Sequence, residues 1–156
     1  MEKQLVKFEE TETSIPFIKV KHNNIEFNLI IDTGCTISCI DKDILDLLVH
    51  TPTGNQVPGL IYANGGNDEP VCTHMIPLNI GGIDFEEEFN AIDFSGMYHG
   101  VKDSFGIIVR GLLGSEFMYK NHLILDFNNS IIRYTDGRQT SLDFGASEQP
   151  ETTCEG

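Results

Sequence analysis

Asp32-Thr33-Gly34 sets a carboxylate beside a hydroxyl and a glycine, residue types suited to acid–base chemistry. The run before it, Phe27 to Ile31 with Asn28 the one polar interruption, predicts a buried strand that Asp32 ends. Gly34 lets the backbone turn sharply and approach a neighbour, so the carboxylate is lifted off the strand onto a tight loop. Far downstream, Leu112-Leu113-Gly114 joins two large aliphatic side chains to a glycine. That composition suits a place where backbones cross, and the segment is expected to pass beneath the Asp32 loop. An aspartate in a turn also caps local N–H groups, so the triplet acquires weight only from this setting.

The other reactive side chains form no comparable pattern. His22, His50, His74, His99 and His122 show neither i,i+4 nor His-x-His spacing, so neither a metal nor a cofactor is expected. Cys35, Cys39, Cys72 and Cys154 include no Cys-x-x-Cys pair, and reduced thiols are the expectation. Cys35, next to the triplet, reads as a thiol open to oxidation or as a small buried filler. The acidic run Glu86-Glu87-Glu88 reads as a solvated strand face, with selection of basic substrates the sharper alternative.

The 156 residues carry ten Lys+Arg against twenty-four Asp+Glu, a net charge of −14, with 40% hydrophobic residues. A chain of this size buries roughly two thirds of its unfolded surface and needs no metal or disulfide framework. A carboxylate surplus without any basic run repels phosphates and anionic lipid, which argues against nucleic-acid and membrane-surface partners. No apolar stretch approaches the ~20 residues of a membrane helix. The segment Met1 to Glu10 breaks its apolar residues with charge and offers no secretion h-region, so a cytoplasmic location is expected.

The elements that must position Asp32 are mostly strands. Ile15 to Ile31 predicts a hairpin around His22-Asn23-Asn24, running straight into the triplet. After a β run at Thr36 to Ile40, Asp41 is a plausible N-cap for a short helix with an apolar stripe at Ile44, Leu47 and Leu48. Thr51 to Glu69 reads as a long hairpin with a glycine tip. Strands at Met75–Ile80 and Phe85–Phe94, joined through Gly81-Gly82, come next, followed by a loop at 95–100 and a buried strand at Gly106–Val109. Gly111 to Lys120 passes from the apolar pair into a helical turn, and strands Leu123–Phe127 and Ile131–Tyr134 flank Asn128-Asn129. The expected organisation is an N-terminal extension over 1–14, one domain over 15–142 and a disordered tail over 143–156. The fold class is mostly β, a closed or sandwich-like domain with two short helices.

With Leu29-Ile30-Ile31-Asp32-Thr33-Gly34, a glycine hairpin around Gly65-Gly66, and Gly111-Leu112-Leu113-Gly114 before a helical turn, the chain resembles the retropepsin-like (retroviral-type) aspartic proteases. The likeness covers roughly residues 15–135, and it is nearer the cellular and bacterial branch than the viral enzymes. The triplet here continues into Cys35, Thr36, Ile37 and Ser38, and the later helix opens with Ser115-Glu116 where viral enzymes carry Arg. The resemblance implies a closed acid-protease β-barrel with one or two short helices and a flap hairpin. It implies Asp32 as the catalytic residue, with Thr33 and Gly34 completing its loop. Ala63, Asn64, Gly65, Gly66 and Asn67 would then contact substrate at the flap tip, around Asn64 to Asp68.

Hydrolysis of a peptide bond by such a site needs one ionised carboxylate to polarise water and a second, protonated one to donate to the carbonyl. Two carboxyls ~3 Å apart cannot both ionise, so they share a proton. This sequence has a single Asp-Thr/Ser-Gly triplet: Phe94 interrupts Asp93-Ser95-Gly96, and Asp136-Gly137 lacks the hydroxyl. A homodimer with Asp32 facing its twin across a two-fold axis is therefore expected, with a peptide or protein substrate. The alternatives are a catalytically silent retropepsin-like dimer that binds peptides or serves assembly, and an unrelated β domain in which the triplet is incidental.

Overall fold

The computed structural model describes residues 1–12, 14–57, 71–93 and 107–135. The expected flap tip around Asn64 to Asp68, with the substrate-contacting residues Ala63–Asn67, the loop at 95–100 and the tail at 143–156 lie outside them. The strands are β1 (Glu2–Lys7), β2 (Glu9–Glu10), β3 (Pro16–His22), β4 (Ile25–Asp32), β5 (Ser38–Asp41), β6 (Thr51–Val57), β7 (Val71–Ile80), β8 (Ile83–Ile92), β9 (Gly111–Gly114), β10 (Leu123–Asp126) and β11 (Ile131–Thr135). Two short helices, α1 (Lys42–Leu45) and α2 (Ser115–Lys120), follow β5 and β9.

Alternation along β3 and β4 puts Ile18, Val20, Phe27, Leu29 and Ile31 in the interior. Asn23 turns the hairpin with φ at 52°. The main sheet runs β2-β3-β4-β9-β5-β8-β7-β6, and Lys21 of β3 also pairs with Asn79 of β7. That last pairing closes β3, β4, β9, β5, β8 and β7 into a ring, leaving β2 and β6 as additions outside it. Ile40, Ile76, Leu78, Ile80, Phe89 and Leu113 fill the interior from the remaining strands. A second sheet, β1-β11-β10, is antiparallel throughout. Its Leu5 and Ile132 join the same core.

Several local expectations are corrected. Residues 107–110 form no strand: Val109 is buried, Ile108 is half exposed, and the strand begins at Gly111. Asp41 does cap α1, accepting from the Asp43 N–H at 3.1 Å, but Leu47 lies beyond the helix and is 67% exposed, so the buried positions are Ile44, Leu45 and Leu48. Cys35 and Cys39 are free thiols, whereas Cys72 is disulfide-bonded, contrary to the expectation of reduced thiols throughout. No described helix is long and apolar enough to cross a membrane.

The turn between β7 and β8 locks the second sheet onto the first. Gly81 has φ +61°, and a Cβ there would sit 1.9 Å from the Leu5 carbonyl oxygen; neighbouring Gly82, at φ +89°, faces open space. Gly81→Ala is therefore expected to cost about 3 kcal/mol or more through strain plus overlap, and Gly82→Ala about 1–2 kcal/mol through strain alone. Denaturant midpoints of the two variants check this, and equal losses would contradict the account.

Candidate active site

Asp32 stands at the end of β4, half-buried, while Thr33 and Gly34 are exposed. Its Oδ1 accepts the Gly34 N–H at 3.0 Å, and its carbonyl accepts the Cys35 N–H at 3.2 Å, so the loop is a turn pinned at both levels. A Cβ on Gly34 would lie 3.3 Å from that Oδ1, a tighter approach than most side chains allow.

β4 and β9 lie parallel, with Ile30 opposite Leu112, Ile31 opposite Leu113 and Asp32 opposite Gly114. The strand that ends at Asp32 and the Leu112-Leu113-Gly114 segment expected to pass beneath its loop thus meet in register. A Cβ on Gly114 would fall 2.7 Å from the carbonyl oxygens of both Cys35 and Thr36 and 2.8 Å from the Ile37 carbonyl carbon. Only a glycine permits that passage. Beyond it, the first N–H groups of α2 supply the missing partners: Ser115 donates to the Cys35 carbonyl at 2.7 Å and Glu116 to the Thr36 carbonyl at 3.2 Å. A helix start always has such unpaired donors, and here they hold the loop that carries Asp32.

Beneath the crossing runs a buried polar chain that sequence reasoning missed. The Gly114 N–H donates to Ser38 Oγ at 3.0 Å, and Ser38 donates to Glu87 Oε2 at 3.0 Å. Glu87 Oε1 in turn takes the Lys120 ammonium at 2.5 Å and the Glu88 N–H at 2.9 Å. Glu87 is 4% exposed, so the reading of Glu86-Glu87-Glu88 as a solvated face fails at this residue. A buried carboxylate persists when it is paired and fully hydrogen-bonded, and Glu87 meets both conditions. The only sequence signal was the Glu87-to-Lys120 pair of opposite charges, and nothing in the spacing joined them.

Glu88, on the opposite face of β8, is half-buried. Burial pushes its carboxyl up, but hydrogen bonds from Thr73, Asn55 and Thr53, with the Lys120 charge, outweigh that and hold it below its ordinary value. A depressed carboxyl adds stability above the unfolded-state value and loses it as pH falls through the folded one. A second ion pair ties the end of β5 to the stretch before β9: Arg110 reaches the fully buried Asp41 at 3.3 Å, and its carbonyl accepts the Asp41 N–H at 2.8 Å.

Of the two thiols near Asp32, Cys35 is half-buried and donates to the Ile37 carbonyl at 3.1 Å, so it is not a fully buried filler. Cys39 is buried; desolvation first, then the neighbouring Cys35, pushes its thiol up to about 12, which leaves it inert at neutral pH. Asp32, Thr33 and Gly34 are thus together on one loop, while Ala63–Asn67 lie outside the described residues.

No family model matches the chain, and no curated protein matches it. Solved structures do. A retropepsin-like aspartic protease from Rickettsia conorii superposes with TM-score 0.52 at 14% identity, covering 86% of this chain and 93% of that one. The retroviral protease-like domain of Ddi1 from Leishmania major gives 0.46 at 13% identity over 80% and 96% of the two chains, and the EIAV protease complexed with an inhibitor gives 0.41 at 19% over 71% and 91%.

Removing the Ser38 hydroxyl strands a buried Gly114 N–H and one Glu87 oxygen at once. Ser38→Ala is expected to cost about 1–3 kcal/mol in a denaturant titration, and a loss under about 0.5 kcal/mol would show that the polar chain does not hold the crossing. Closed ring, parallel β4–β9 crossing and a superposition that covers 86% of the chain agree: this chain has the fold of the retropepsin-like aspartic proteases.

Proposed function

We propose that the chain is an aspartic endopeptidase that works as a homodimer, with Asp32 and its twin forming one site per dimer. The observation that carries this reading is the placement of a single Asp-Thr-Gly on an exposed, doubly pinned loop. The exposed Thr33 and Gly34 leave the face of that loop open to a second copy. A loop fixed by the α2 amides and the Gly114 passage holds a carboxyl to the tolerance that acid–base chemistry requires.

In the dimer one Asp32 is ionised and draws a proton from water, while the other is protonated and donates to the scissile carbonyl as the tetrahedral adduct forms. Collapse of the adduct returns a proton to the departing amine. Substrate lies extended across the two-fold axis and pairs with backbone, as peptides do with free strand edges. β6 and β7 are antiparallel and still paired at Val57 opposite Val71, so the segment between them, with Ala63 to Asn67, is where a flap over the substrate is proposed. The charge of −14 keeps the chain from nucleic acid and anionic membranes, and a cytoplasmic location, part of the same reading, has the Cys72 disulfide against it.

Because the pair must hold one proton, activity is expected to rise and fall as a bell on the acidic side of neutrality: both carboxyls lose their protons at high pH, and both are protonated at low pH. Incubation with a mixed peptide library across that range, beside sedimentation analysis, provides the test. Cleavage by a dimer, reduced by about 10³-fold or more in Asp32→Asn, is the expected result. A dimer that cleaves nothing at any pH would favour the peptide-binding or assembly role instead, and a monomer at micromolar concentration would contradict both.

A further inference from the structure

His50, the residue before β6, meets His74 of β7. The Nδ1 atoms are 3.2 Å apart, the ring centroids 4.9 Å, and the ring planes cross at 83°. We propose that this pair is a binding site for a borderline divalent transition-metal ion, Zn²⁺ being the representative, held by the two Nδ1 nitrogens.

Two bond lengths of about 2.0–2.1 Å at a roughly tetrahedral angle put two imidazole nitrogens about 3.2–3.4 Å apart and their ring centroids about 5 Å apart. Both observed distances meet that description together. A straight N–H···N bond of the same length would push the centroids to about 5.5 Å, so the contact is bent: it is an N–H···N hydrogen bond when one Nδ1 carries a proton, and it leaves both nitrogens to a shared ion when neither does. Imidazole is a donor that suits Zn²⁺, Cu²⁺ and Ni²⁺ and not the hard Mg²⁺.

The neighbours fix the spacing. His22, buried at the end of β3, donates from Nδ1 to the Pro77 carbonyl at 2.7 Å and accepts the Val49 N–H on Nε2 at 2.8 Å. Those bonds tie the residue before His50 to the strand that carries His74, so the pair is set by a clamp rather than by two loose side chains. In β6, Pro52 lies opposite His74. Both rings are half-buried, which leaves room for water to complete the coordination. No third His, Cys, Asp or Glu joins them among the described residues, so a modest affinity is the expectation. The net charge of −14 raises the local cation concentration without selecting among cations.

The inference does not depend on the catalytic reading, and its test reads binding alone. Titration calorimetry of the full chain with ZnCl₂ is expected to show one ion per chain with micromolar affinity, weakened about tenfold or more in both His50→Gln and His74→Gln, and no binding of MgCl₂ at the same concentration. Should a variant fail to fold, imidazole ¹⁵N spectra of the unaltered chain replace it: Zn²⁺ should shift Nδ1 of His50 and His74 and leave His122 in place. Equal affinity in the variants, no binding up to about 1 mM, or shifts confined to other histidines would overturn the proposal.

Discussion

Everything around Asp32 depends on one close passage, Gly114 beneath the carbonyls of Cys35 and Thr36. A side chain there would overlap three backbone atoms, so the chain can cross only at a residue without one. The passage has two consequences. It sets β9 parallel to β4, putting Asp32 opposite Gly114, and it delivers the start of α2 to the loop, whose carbonyls take the Ser115 and Glu116 amides. Strand pairing, helix start and candidate carboxylate are thus one construction. Its stiffness comes from backbone contacts, which rotamer changes cannot relax.

Around this centre the charges fall into two classes. Glu87 and Asp41 are buried and each meets a cation, Lys120 and Arg110; the first is tied to the Gly114 amide through Ser38, and the second joins the end of β5 to the stretch before β9. Pairing of this kind adds little net stability over an apolar core, but it is costly to break, which makes it a device for a single arrangement of the loop. Exposed pairs such as Lys19 with Glu26 at 3.5 Å do no comparable work. A surface rich in carboxylates and a site built on a carboxylate are therefore separate facts.

The strands and the crossing were legible because they rest on local signals. The alternation of Val20 against the polar positions, the Asn23 turn and the Gly81-Gly82 turn each follow from one to four neighbouring residues, and the apolar pair before Gly114 announces a crowded place. Long-range meetings were not legible. Glu87 looked solvated beside Glu86 and Glu88, since its partners Ser38 and Lys120 are 49 and 33 residues away. His50 and His74, 24 residues apart, fit no spacing rule because two antiparallel strands bring them together. Within the expected strand Gly106–Val109, the described residues 107–109 form none and the strand starts at Gly111; Asn28 meets that stretch from 80 residues away, its amide donating to the Ile108 carbonyl at 3.0 Å. Strand patterns record which face is buried and say nothing of which distant residue fills the other side.

The central claim is that one chain supplies half of a site. Mixing the unaltered chain with a large excess of an Asp32→Asn chain, allowing exchange, and measuring cleavage tests this most directly, because a shared dyad requires two intact chains. Activity per dimer is then expected to follow the square of the intact fraction. A linear dependence on that fraction would mean that each chain acts alone, and the account would be wrong.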